Sequence, residues 1–258
     1  MTHNIITENS KPLASVITPT FGRHEMLPHV YNVFTSQNIE HIEWIVVDDS
    51  QNKSVFMLEL SDPRVRYIYL PERISTGEKR NIAASDAKSD IIVQFDDDDY
   101  YSPNYIRTMI DCMSREGADF VKLSSFFLYS KIHKQYGYWE LQKTDGIHFV
   151  WSANPEIELI KFSKTANIID AALGYGFSYV FKKNVWESEK FPHIFWNQDT
   201  PFIKAAIANG FKICLINDDA GICLHILHGG NVSKSFPQYI IPQRLIQRFF
   251  PTIDSAYL

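Results

Sequence analysis

Four consecutive aspartates, Asp96 to Asp99 in "QFDDDDYYSP", follow directly on the apolar run "IIVQF". Adjacent carboxylates repel one another, and a cation that shares their charge makes the arrangement tolerable. Mg²⁺ or Mn²⁺ is hard, prefers carboxylate oxygens and commonly keeps phosphate oxygens as its other ligands. Asp96 and Asp98 lie two positions apart at a strand end and can face one crevice, with Asp99 beside them. The alternative is a solvated acidic turn in which Asp99 or Ser102 caps the next helix. In "WIVVDDS", Asp49 at a strand end could accept from the imide N–H of a uracil or thymine ring, or it closes a turn with Asp48. "TFGR" offers Gly22 for close approach and Arg23 for a phosphate. "STGEKRN" offers Lys79 and Arg80, which either neutralise a pyrophosphate or lie on an exposed helix face. Asp199 in "WNQDTPF" is a general base or a helix N-cap. His225 and His228 in "HILHGGN" are metal ligands or satisfied structural histidines.

The elements that must position these groups follow from the apolar runs. "LASVITP", "IEWIVVDD", "RVRYIYL" and "DIIVQF" read as strands, separated by helical stretches at "EMLPHVYNVFTSQ", "SVFMLELS" and "STGEKRNIAASDAK". Strands alternating with helices, with continuous apolar character, imply a parallel sheet covered on both faces. In such sheets ligands bind beyond the carboxyl ends of the strands. "TPTFGR", "DDSQ" and "DDDDYY" would all converge there. Beyond residue 101 the pattern gives a helix at "SPNYIRTMIDCMSREGA", a strand at "DFVKLSSFFLYS", and a hairpin about Asp145-Gly146 within "YGYWELQKTDGIHFVWS". A further helix starts at "QDTPFIKAAIANG" and stops at Gly210. Residues 1–258 read as one domain, with a nucleotide-binding half over about 13–100, an acceptor half over about 101–235 and a tail over 236–258.

Composition narrows the function. A net charge of −5 argues against a nucleic-acid binder with a broad basic face. Cys112, Cys214 and Cys223 form no C-x-x-C pair, and no signal peptide or membrane-length apolar run is visible, which points to a reducing, cytoplasmic setting. Aromatic residues make up 14% of the chain, and Tyr136, Tyr138, Trp139 and Trp151 either face sugar rings or pack the core. Phe249, Phe250, Arg244 and Arg248 in the tail form a lid, touch a membrane-borne lipid acceptor, or pack. Signatures of P-loop, dinucleotide-binding, serine-hydrolase and H-E-x-x-H chemistry are absent from the sequence.

"SVITPTFGR", "IEWIVVDDS", "GEKRNIA", "FDDDDYYSPNYI" and "NQDTPFIKAAIANGFK" follow one another in the order and spacing of family 2 glycosyltransferases, and over about residues 13–235 the chain resembles that family. The resemblance implies a GT-A fold: a Rossmann-like, mostly parallel sheet flanked by helices, with a smaller acceptor-side hairpin region. It also implies a nucleotide-sugar donor, UDP-sugar favoured, with Mn²⁺ or Mg²⁺ and inversion at the anomeric carbon. By position, Pro19, Thr20, Arg23, Asp49, Gly77, Arg80 and Asp96 would serve the nucleotide sugar. Asp98 would be the main metal-binding acid of the D-x-D motif, with Asp96 and Asp99 beside it and His228, or His225 in reserve, completing the metal site. Asp97 falls at the variable middle of the motif, next to the nucleotide sugar, and is expected to tolerate substitution. Asp199 matches the presumed base. Gln198 stands where Glu is usual, "DDSQN" lacks the commoner glycine, and Gly22 stands where Asn is frequent. The acceptor would be a glycan or a lipid-linked hydroxyl, with peripheral membrane contact and homo-oligomerisation left open. The rival readings are a sugar nucleotidyltransferase, which would carry a glycine-rich loop with a lysine after the first strand, and a non-catalytic nucleotide- or metal-binding module.

Overall fold

The computed structural model describes residues 11–143, 145–162, 172–230 and 234–253. Four strands, β1 (Ala14–Thr20), β2 (Ile42–Asp48), β3 (Val65–Tyr69) and β4 (Ile91–Gln94), run parallel in the order β3-β2-β1-β4. Between them lie α1 (Leu27–Thr35), α2 (Val55–Glu59) and α3 (Thr76–Asp86). Alternation along the pleat explains the unbroken apolar runs. Trp44 and Val46 of β2 join one core cluster, whereas Ile45 and Val47 join a second. Both faces of the sheet are therefore covered. Local signals agree with this: Ser75 and Glu78 form a reciprocal capping box that starts α3.

The second half is built on one long strand. After the short β5 (Tyr100–Tyr101) and α4 (Tyr105–Glu116), β6 spans Phe120–Ser130 with all its residues buried. β7 (Gln135–Glu140) pairs antiparallel with β6, while β8 (Gly146–Val150) and β9 (Glu158–Phe162) form a separate two-stranded sheet. There follow β10 (Val180–Lys182), α5 (Lys183–Ser188), α6 (Asp199–Ala208), β11 (Ile213–Asn217), β12 (Cys223–Leu227), β13 (Tyr239–Ile241) and α7 (Gln243–Phe249). β10 lies antiparallel between β4 and β6 and so joins the two halves. β11 and β12 run parallel to β6 along its other edge, and β12 also pairs with β5.

One expectation changes here, and the open readings of the aromatic residues resolve to packing. No β7–β8 hairpin forms about Asp145-Gly146, because β7 is taken by β6 and β13, and β8 by β9. Tyr136, Trp139 and Trp151 are core residues at 5%, 3% and 0% exposure, and the half-buried Tyr138 bonds Ser125 and Asp219. The tail packs: Phe249 and Phe250 lie against Phe127, and Phe250 meets Tyr100 edge-on. Among the described residues no helix is long and apolar enough to cross a membrane.

Candidate active site

The carboxyl ends of β1, β2 and β4 meet as the alternating pattern requires, and side chains lock them together. Thr20 closes β1 and donates through its hydroxyl to Asp97 at 2.7 Å. Pro19, just before it, lies past the last β1–β4 pair, where a missing N–H is tolerated. Lys79 reaches from α3 to the Thr20 carbonyl at 2.8 Å and to Asp49 at 2.7 Å. The other Asp49 oxygen accepts from the Ile74 N–H. Asp48 is fully buried and is held by Ser50, Tyr67 and His24, so it supports the turn.

The acidic run is fixed from both flanks. Tyr101 stacks on Phe95 at 4.0 Å, accepts from the Asp96 N–H and donates to the Phe177 carbonyl. Asp99 accepts from the Ile226 N–H, and both its oxygens lie within 2.9 Å of His225 Nδ1. Asp98 contacts Arg23 at 2.6 Å and His228 Nε2 at 2.9 Å. Arg23 also donates to Asp97 at 2.8 Å, so Asp97, the position expected to tolerate change, is tied to the end of β1 through Thr20 and to the turn after it through Arg23.

Asp96, Asp98 and Asp99 each offer an oxygen within 4.8 Å of the others. Three carboxylates so placed suit a hard divalent cation. The electrostatics agree with this fit. Burial pushes Asp96 up to about 7 against the pull of Arg80, and Asp97 up to about 6 with Asp98 adding to the effect. Burial also raises Asp99, His225 opposing it. Asp98 differs: burial acts upward, but the His228 hydrogen bond and Arg23 hold it below the usual range. Crowded buried carboxylates of this kind gain from a positive charge.

The histidines play unequal parts. His225 stacks on Phe177 at 4.6 Å and reaches the cluster through Asp99. The Gly230 N–H donates to His228 Nδ1 at 3.0 Å, so Nε2 carries the hydrogen that it shares with Asp98. Metal ligation through Nε2 needs the other tautomer and the loss of the Gly230 contact. A cavity of about 320 Å³ opens beside this pair, lined by Arg23, Met26, Asp98, Lys131 and His228 among others.

Asp199 opens α6 as its first residue, while Gln198 holds the N-cap position, so the capping reading does not apply. One Asp199 oxygen pairs with Arg80 Nη1, and Arg80 Nη2 donates to Asp96 at 3.1 Å. Arg80 is thus a buried cation shared by the acidic run and Asp199. The other Asp199 oxygen accepts from the Gly176 N–H at 3.2 Å. A Cβ on Gly176 would fall 2.1 Å from Asp199 Oδ1. Gly77 serves a similar close approach: a Cβ there would stand 1.9 Å from the Pro192 carbonyl oxygen.

Sequence reasoning missed Gly176 and Lys122. Lys122 is fully buried, and its Nζ donates to the carbonyls of Ala172 and Gly174, at 2.6 Å for the latter. Burial brings it down to about 7, Asp199 acting the other way. A lysine inside the apolar run "FVKLSSFF" was its only signal.

The family profile described as glycosyl transferase family 2 matches residues 15–180. The chain belongs to glycosyl transferase family 2. TuaG of Bacillus subtilis (strain 168), a glycosyltransferase named for teichuronic acid biosynthesis, is 27% identical over 116 residues, 43% of this chain and 46% of that protein. WcaA of Escherichia coli (strain K12), named for colanic acid biosynthesis, is 28% identical over 105 residues, 39% of this chain and 38% of that protein. The matched stretches thus span less than half of these relatives. Among solved structures, S. aureus TarS 1-349 in complex with UDP-GlcNAc superposes with a TM-score of 0.63 at 17% identity, covering 84% of this chain and 59% of TarS 1-349. The mannosyltransferase PcManGT from Pyrobaculum calidifontis, in complex with GDP-Man and Mn²⁺, gives 0.58 at 14% identity, covering 84% of this chain and 57% of that one. These likenesses establish for this family 2 member the GT-A fold, a curled and mostly parallel sheet flanked by helices.

Proposed function

We propose that this family 2 protein is a metal-dependent, inverting glycosyltransferase that moves a sugar from a nucleoside-diphosphate donor, UDP-sugar favoured, to an acceptor hydroxyl. The observation that carries the reading is the bridge of Arg80 between the carboxylate cluster and Asp199. It sets a candidate base beside a candidate metal site. Mn²⁺ or Mg²⁺, held by Asp98 with Asp96 and Asp99, would neutralise charge on a diphosphate leaving group. His228 would join that set in its other tautomer, and His225 would orient Asp99 from behind. Thr20 and Asp49 would hold the nucleoside, and Arg23 a phosphate.

Asp199 takes the acceptor proton. Arg80 anchors one carboxylate oxygen, and the second, held among the described residues by the Gly176 N–H, is the one free to accept. The acceptor oxygen forms its bond to the anomeric carbon as the sugar–phosphate bond breaks, and the diphosphate leaves with the electron pair. One displacement inverts that carbon and needs no covalent nucleophile. Residues 13–100 serve the donor and 101–235 the acceptor, a glycan or a lipid-linked hydroxyl, within one domain. The test is a panel of UDP, GDP, CDP and dTDP sugars with Mn²⁺. Asp199→Asn should keep donor binding and lose transfer, and Asp98→Ala should lose Mn²⁺-dependent donor binding. Near-normal turnover in the first, or unchanged Mn²⁺ dependence in the second, removes that assignment.

A further inference from the structure

We infer that Phe195 and Trp196 form an aromatic platform on which a sugar ring of a glycan acceptor rests beside Asp199. The inference rests on the reading of Asp199 as the base. Trp44, Trp139, Trp151 and Trp186 are all buried, whereas Trp196 is 65% and Phe195 43% exposed. Leaving such rings in water forgoes the burial that drives large aromatics inward. The segment that bears them is nevertheless firmly held. Asn81 clasps the backbone of Phe191 on both sides, and the Gly77 N–H donates to the Ile194 carbonyl. Pro192 sits directly over Gly77, in space that only a glycine leaves open. Asn197, at φ +58°, then turns the chain into α6. The exposed rings are displayed by a fixed scaffold and are pre-organised for a partner.

Position selects the partner. Trp196 lies three positions before Asp199, so their Cα atoms lie within about 11 Å of each other. An acceptor hydroxyl must approach the base to about 3 Å, which leaves the rest of the acceptor over neighbouring residues. The two rings stand 6.2 Å apart and tilted by 48°, as a shallow angled wall. Arg73 lies over Phe21 at 3.6 Å and 5.5 Å from Phe195, joining the platform to the strand end that carries Thr20. His193, Asn197 and Gln198 flank the two aromatics in sequence, and the buried Gln198 Oε1 has no hydrogen-bond partner among the described residues. Apolar faces set among amides and a guanidinium match the C–H faces and hydroxyls of a sugar. Hydrocarbon would leave those polar groups unsatisfied.

The test uses the full chain with UDP and Mn²⁺, titrated with methyl hexopyranosides and with disaccharides by saturation-transfer NMR. At least one sugar should bind, and Trp196→Ala should weaken it about tenfold, the equivalent of ~1.4 kcal/mol. Trp196→Phe should restore most of the binding, and the UDP-induced thermal shift should match wild type in every variant. Unchanged sugar affinity in Trp196→Ala overturns the platform. So does a wild type that responds to UDP but to no sugar, and so does Trp196-dependent sedimentation with phosphatidylglycerol vesicles in place of sugar binding. Trp196-dependent sugar binding without any UDP response would keep the platform and sink the donor reading instead.

Discussion

Replacing Gly176 with alanine separates the geometry of Asp199 from its chemistry. The new Cβ would stand 2.1 Å from Oδ1, 2.3 Å from Cγ and 2.8 Å from Oδ2 of Asp199, where anything nearer than 3.0 Å forces a shift. Gly176 itself does not adopt a left-handed conformation, so the alanine backbone is acceptable and the carboxylate is the group that moves. Clearing the methyl displaces it by about 1 Å, and a misplacement of that size costs on the order of 100-fold in rate. That corresponds to roughly 2.7 kcal/mol of barrier. Stability should suffer less than full loss of a buried ion pair, because Arg80 keeps Asp96 and the displaced carboxylate stays charged and near. At about 1–3 kcal/mol of overpacking cost, a chain of this size loses on the order of 2–10 °C in Tm. Turnover, UDP thermal shift and melting should be measured together, with the same change repeated in Asp199→Asn. The expected pattern is a large loss of turnover, an intact UDP shift and no further loss in the double variant. Gly176→Ala turning over within about threefold of wild type would refute the idea that this carboxylate must sit where it does.

Two further substitutions probe the groups that hold the site. Lys122 is brought down to about 7 from 10.5, so between those limits the unfolded chain binds a proton that the folded chain refuses. Stability from this group therefore rises as pH climbs from 7 to 10.5 and is lowest below 7, by up to a few kcal/mol. Urea melts at stepped pH should show this rise in wild type and a flatter profile in Lys122→Met, and parallel profiles would disprove it. Asp97→Ala removes an acceptor from Thr20 and one of two carboxylates from Arg23, which should cost about 1–3 kcal/mol and weaken UDP binding less than Asp98→Ala does. An unchanged Tm in Asp97→Ala would show that these contacts do not hold the strand ends together.

The strands and helices of the first half were legible because the apolar runs of β1, β2 and β4 match strands buried on both faces, because β3 keeps the same apolar run at half-burial on the sheet edge, and because Ser75 and Glu78 announce α3 locally. Convergence of the polar strand ends was legible for the same reason, since parallel order places those ends on one edge. Partnership was not. Alternation in "YGYWE" and "GIHFV" identifies strands without saying what they pair with, and a local turn signal lost to β6 and β9. Aromatic roles were also hidden: nothing local distinguishes Trp139, wedged against Phe126 and Tyr175, from the exposed Trp196. Arg80 and Asp199 meet across 119 positions, a pairing that only the folded sheet makes.

β6 has mechanical as well as topological consequences. Its first residues are clamped between β10 and β11, and its later ones between β7 and β12. A single strand with partners on both edges near each of its ends thus runs as a girder from the first-half sheet into the second half, and bending it would break ladders along both edges. Clam-shell hinging about this strand is therefore costly. Adjustment to a bound molecule falls instead to short connections such as 172–178, which rides on the girder above Lys122.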